Sequence, residues 1–71
     1  MAQYTIKDFI VGDKVYHLSN TKLIMVAIEI HKDINEISCR WVDKDGQVQC
    51  TEFMAEELGK AKDLGIKITV I

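Results

Sequence analysis

Cys39, Cys50, His17 and His31 are the side chains of this chain best suited to hold a soft metal or to carry thiol chemistry. Structural zinc sites draw paired ligands from short spacings, C-x2–4-C or H-x3–5-H, because two ligands on one tight turn reach the same tetrahedral ion. Here ten residues separate the cysteines and thirteen separate the histidines, so no such pair exists. A dithiol redox centre asks for C-x-x-C, which is also missing. The favoured reading makes both cysteines small core groups and free thiols, and both histidines surface or strand-edge residues. No metal and no cofactor is expected. No carboxylate pair, nucleophile with a base, or phosphate-cradling glycine loop can be assembled from spacing, and Gly12-Asp13 before a strand reads as a turn. The chain is therefore expected not to be an enzyme.

Binding chemistry is the better prospect. Trp41, with Tyr16, Tyr4 and Phe53, has the makings of an aromatic pocket for a peptide or a methylated lysine. The competing reading is core packing, favoured for Trp41 because it shares a strand face with Ile37 and Cys39. Arg40, Lys14, Lys22 and Lys44 are candidates for an outer face that meets nucleic acid. Against that, nine Lys and Arg stand against eleven Asp and Glu, a formal charge of −2 with no basic stripe.

These residues depend on a hairpin for their placement. In Glu36 to Phe53, Ile37, Cys39 and Trp41 alternate with Ser38 and Arg40, and Val48 and Cys50 alternate with Gln47, Gln49 and Thr51. Asp43-Lys44-Asp45-Gly46 supplies the turn chemistry between them. If Lys44 and Asp45 form the loop, Cys39 sits opposite Cys50. If the loop has three residues with Gly46 as a bulge, Cys39 faces Thr51. The first register is preferred because it keeps Ile37, Cys39, Trp41, Val48 and Cys50 on one buried face, with the thiols as near neighbours.

Elsewhere, Lys14 to Leu18 reads as a strand, Ser19 to Lys22 as a break, and Leu23 to His31 as the most strand-like run. Ile24, Val26, Ile28 and Ile30 fall on one face of that run; Leu23, Met25 and Ala27 make the other face apolar too, so it must be covered twice, and its edge is a place for an added strand. Lys32 to Asn35 is a turn. Met54 to Gly65 favours one or two helical turns, and Ile66 to Ile71 alternates as a closing strand. Met1 to Lys7 lacks periodicity and reads as a loosely held arm. The 71 residues, 48% hydrophobic, make one domain spanning 1–71 with a core that is marginal in size. No signal peptide opens the sequence and no stretch reaches the ~20 apolar residues of a membrane helix, which points to the cytoplasm. The expected fold is mainly β, a small five-stranded SH3-like barrel with one short helical turn before the last strand.

Phe9, Gly12, Asp13 and Val15, then Cys39 and Trp41, then Phe53, Leu58 and Ala61 form the pattern F-x-x-G-D-x-V, C-x-W and F-x-x-x-x-L-x-x-A. Across about Phe9 to Lys62 the chain resembles the YodC-like family of small uncharacterised bacterial proteins. It differs from them where Ser19-Asn20-Thr21-Lys22 replaces their usual Ser-Gly-Gly-Pro turn. The resemblance implies a small β-barrel and supplies no activity. The expectation is a non-enzymatic interaction module that binds a protein or pairs with itself as a homodimer, with Tyr16, Leu23, Met25, Arg40 and Trp41 as the candidate binding residues. The alternative is a nucleic-acid-binding barrel; a metal- or redox-responsive thiol protein is a third.

Overall fold

The computed structural model of the chain describes residues 4–65. Its strands are β1 (Lys14–His17), β2 (Asn20–His31), β3 (Glu36–Val42), β4 (Val48–Met54) and β5 (Leu58–Lys60), with 3-10 turns at Ile6–Asp8, Ala55–Glu57 and Ala61–Leu64. All five join one antiparallel sheet in the order β4-β3-β2-β1-β5. The mainly-β, five-stranded expectation is borne out. The segment expected to be helical is instead two 3-10 turns with β5 between them. Gly59, a liability in a helix, is what β5 needs, because the Tyr16 ring lies where its Cβ would be. The closing strand expected at Ile66 to Ile71 lies outside the described residues, as do residues 1–3 of the arm. From Tyr4 onward the arm is not loose. Tyr4 meets Phe9 edge-on, with centroids 5.6 Å apart, and the Thr5 N–H and hydroxyl donate to Asp8 Oδ2 at 2.8 and 3.1 Å.

β2 explains how one strand serves a bent sheet. Ala27 pairs with Cys39 and Glu29 with Ser38, which leaves Ile28 as an extra residue in a bulge. Before the bulge Leu23, Met25 and Ala27 face the core; after it the inward residue is Ile30, opposite Ile37. Strict alternation put Ile30 with Ile24 and Val26, and the bulge moves it across. Ile24 and Val26 remain on the outer face, half-buried.

The β3–β4 hairpin takes the three-residue loop, not the preferred two-residue one. Gly46 stands at φ 82° and its N–H donates to Asp43 O at 3.0 Å. The Asp43 carboxylate accepts the Asp45 and Gln47 N–H groups, each at 2.9 Å. Cys39 consequently faces Thr51 and Arg40 faces Cys50. Val48 and Cys50 turn outward, and the sulfurs lie on opposite sides of the sheet. Local turn bonding outweighs the burial of one valine and one cysteine, which is only about 2–3 kcal/mol.

The core is Phe9, Val15, Met25, Ala27, Ile37, Cys39, Ala55 and Leu58, with Tyr4, Ile6, Leu23, Ile30, Trp41 and Phe53 packed around it. Trp41 is thus a partly buried member of the core margin, as favoured.

Candidate functional site

The five expected binding residues do not share a surface. Met25 is 1% exposed and lies in the core, with Leu23 and Trp41 packed against it. Tyr16 and Arg40 are on the outer face, where Lys14, Val26, Arg40 and Cys50 form one row across four strands and Tyr16 pairs with Ile24 beside it. At Val26 both sides of β2 are taken, by Lys14 on one and Arg40 on the other, whereas Ile24 and Met25 pair with β1 alone. β2 lies between β1 and β3 in the strand order, and an added strand along Leu23 to Ala27 would be blocked at its Val26 end. The register narrows that expectation to Leu23 to Met25, on the side facing away from β1.

The soft ligands are also dispersed. Cys39 is buried and Cys50 is exposed. Burial, above all, pushes the Cys39 thiol up to about 11. His17 Nε2 lies 3.3 Å from Glu57 Oε2, and its ring packs 5.2 Å from Phe53. Among the described residues no group of three or more His, Cys, Asp or Glu is placed to hold a metal ion.

One polar chain was not foreseen. His31 Nε2 lies 2.9 Å from Glu29 Oε1 and 3.0 Å from Ser38 Oγ, and Ser38 Oγ donates to Glu52 Oε2 at 3.4 Å. Its signal was the pair Glu29 and His31 on one strand face. It does not make a nucleophile–base–acid relay: both contacts use the same ring nitrogen, and Ser38 is buried. It satisfies a buried hydroxyl between three strands.

Asp13 acts as the turn residue expected of it, accepting the Ile10 N–H at 3.0 Å. It also pairs with Lys60 at 3.4 Å, whose Nζ stands 5.2 Å from the Tyr4 ring centroid. An open cleft of about 210 Å³ here is lined by Asp13, Lys14, Lys60 and Lys62.

The most exposed feature with binding capacity is β4. Its seven residues pair with β3 without a bulge, and among the described residues nothing pairs with its other side. Six of the seven are exposed and Phe53 is half-buried. Edge strands are ordinarily guarded by Lys, Pro or a bulge. β4, Val-Gln-Cys-Thr-Glu-Phe-Met, has none of these and a single charge, Glu52.

Fold and edge together define a small all-β domain whose strand order, among the described residues, ends at β4 and at the three-residue β5. Compared with family models, curated proteins and solved structures, the chain gives no match. Among the described residues no helix is long and apolar enough to cross a membrane.

Proposed function

We propose that the chain is a non-enzymatic, cytoplasmic interaction module, an SH3-like barrel akin to the YodC-like proteins, which binds an extended protein segment by adding it to β4. The observation that carries this is the edge of β4, which among the described residues pairs with nothing on its far side and carries no Lys, Pro or bulge. Main-chain hydrogen bonds would supply affinity, and alternate side chains along the edge would supply selectivity. The barrel reading draws support from the strand order, from the bulge that bends β2, and from the 3-10 turn Ala55–Glu57 just before β5. The family-like residues Phe9, Val15, Cys39, Leu58 and Ala61 are all buried, and Gly12 and Asp13 make a turn, so the motif reads as a signature of fold.

Titration of the labelled chain with extended peptides of alternating apolar sequence tests this. Amide shifts should run along Val48 to Met54 and be lost in Thr51→Lys. No response along β4 to any peptide in the panel would count against the reading.

A second reading keeps one observation of its own: Lys14 and Arg40 flank Val26 on the outer face beside Tyr16. Oligonucleotide binding that weakens steeply with salt and shifts Lys14, Tyr16 and Arg40 would favour nucleic acid over protein.

A further inference from the structure

We infer that the occupant of the β4 edge is a second copy of this chain, paired antiparallel about a two-fold axis at Thr51, so that two sheets become one. This rests on the reading of β4 as a binding edge, and adds the partner and the register.

Two-fold symmetry restricts the choice. For both cores to stay on the same side of a continuous sheet, paired residues must share a face, so the axis passes through a residue and its own copy. Three axes lie near the middle of β4. An axis at Cys50 places the two Cys50 residues opposite each other with Arg40 and the partner's Arg40 flanking them, like charges across the seam. An axis at Glu52 sets Glu52 against the partner's Glu52. Only the axis at Thr51 avoids both, and it uses the full strand: Val48 meets the partner's Met54, Gln49 the partner's Phe53, and Cys50 the partner's Glu52.

That register is complementary on both faces. On the outer face the row across the seam runs Arg40, Cys50, the partner's Glu52, the partner's Ser38. Arg40 and the partner's Glu52 are two strand spacings apart, about 9–10 Å between Cα atoms, within the combined reach of the two side chains. Among the described residues Arg40 has no ion-pair partner within its own copy. Symmetry makes the contact twice, so two chains of charge −2 meet at a seam of alternating sign. In the next row Val42 and Val48, 62% and 64% exposed, come beside the partner's Met54, 43% exposed. On the inner face the row is Trp41, Gln49, the partner's Phe53, the partner's Ile37, which joins the two core margins. A seam of one strand pair is a small interface, so the dimer is a transient one.

Sedimentation equilibrium over a wide concentration range tests this with four chains. The wild type should dimerise, and Arg40→Glu or Glu52→Arg alone should weaken dimerisation by about tenfold or more, because each puts like charges across the seam. Combining the two reversals should restore it, a rescue that loss of folding cannot imitate. Val48→Lys should also weaken it. A folded wild type that stays monomeric at millimolar concentration, a dimer indifferent to these changes, or a double reversal without rescue would overturn the inference. A monomer that still takes extended peptides along β4 refutes self-pairing alone; one that takes none refutes the edge reading too.

Discussion

The ring of Tyr16 lies over Gly59, so close that a Cβ at position 59 would come within 2.5 Å of the ring's far end. The contact locks β5 against β1, where Tyr16 and Gly59 are direct partners. Gly59→Ala should destabilise the fold by about 1–2 kcal/mol, the range for overpacking where the obstacle is a side chain able to swing aside. In a Tyr16→Ala background the same change should cost much less. Urea melts of the four chains give the coupling directly. Additive effects would mean that the ring does not govern position 59.

The register of the β3–β4 hairpin makes a sharp forecast about two aliphatic residues. Ile37 is fully buried, whereas Val48 is 64% exposed. Ile37→Ala should cost about 3–4 kcal/mol, and Val48→Ala no more than about 0.5 kcal/mol at a dilution where the chain is monomeric. Had the two-residue loop formed, Val48 would share the core face with Ile37 and both changes would be expensive. Comparable losses in denaturant melts would therefore contradict the register.

What could be read from the residues was what local chemistry decides. The turns at Gly12-Asp13, Lys32 to Asn35 and Asp43 to Gly46 stand where expected, and Ile37, Cys39 and Trp41 point inward together. Three features were illegible for different reasons. The bulge at Ile28 adds a residue that alternation cannot foresee, since every residue from Leu23 to Ile28 is apolar. β5 hides in a sequence with helix propensity, and its glycine makes sense only with Tyr16 above it. The hairpin register was settled by one carboxylate, Asp43, against the pull of two apolar side chains. The candidate site was hard to place for a further reason: whether a strand is an edge depends on strand order. β2 has the composition of a strand needing cover, but it lies between β1 and β3 in the strand order, and the longer strand at an end of the order, among the described residues, is the less apolar β4.

The two thiols should behave as different species. Cys39 is fully buried, and burial pushes its thiol up to about 11; Cys50 is exposed on the opposite face. A disulfide-exchange reagent at mildly alkaline pH should modify one thiol in the native chain, removed by Cys50→Ser, and a second only in denaturant. Because the folded value of Cys39 lies above the unfolded one, its contribution to stability is complete below the unfolded value and fades as pH rises from about 9 to about 11. Cys39→Ala should flatten that alkaline limb. Equal native reactivity of both thiols would refute the assignment.

At the acid end the relevant contact joins the 3-10 turn before β5 to β1. The Met54 N–H donates to Glu57 Oε1 at 2.9 Å, and His17 Nε2 lies 3.3 Å from Glu57 Oε2. These hold the Glu57 carboxyl below the usual range, the Met54 N–H contributing most. A carboxylate with a depressed folded pKa stabilises the fold above its unfolded value, and that stabilisation is lost as pH falls through the folded one. Glu57→Gln keeps an acceptor for Met54 and removes the charge. Its melting temperature should lie below the wild type near neutrality and converge on it in strong acid. A gap that stays constant across the pH series would show that Glu57 acts only through its shape and its neutral hydrogen bonds, and that the carboxylate charge plays no part in holding the turn to β1.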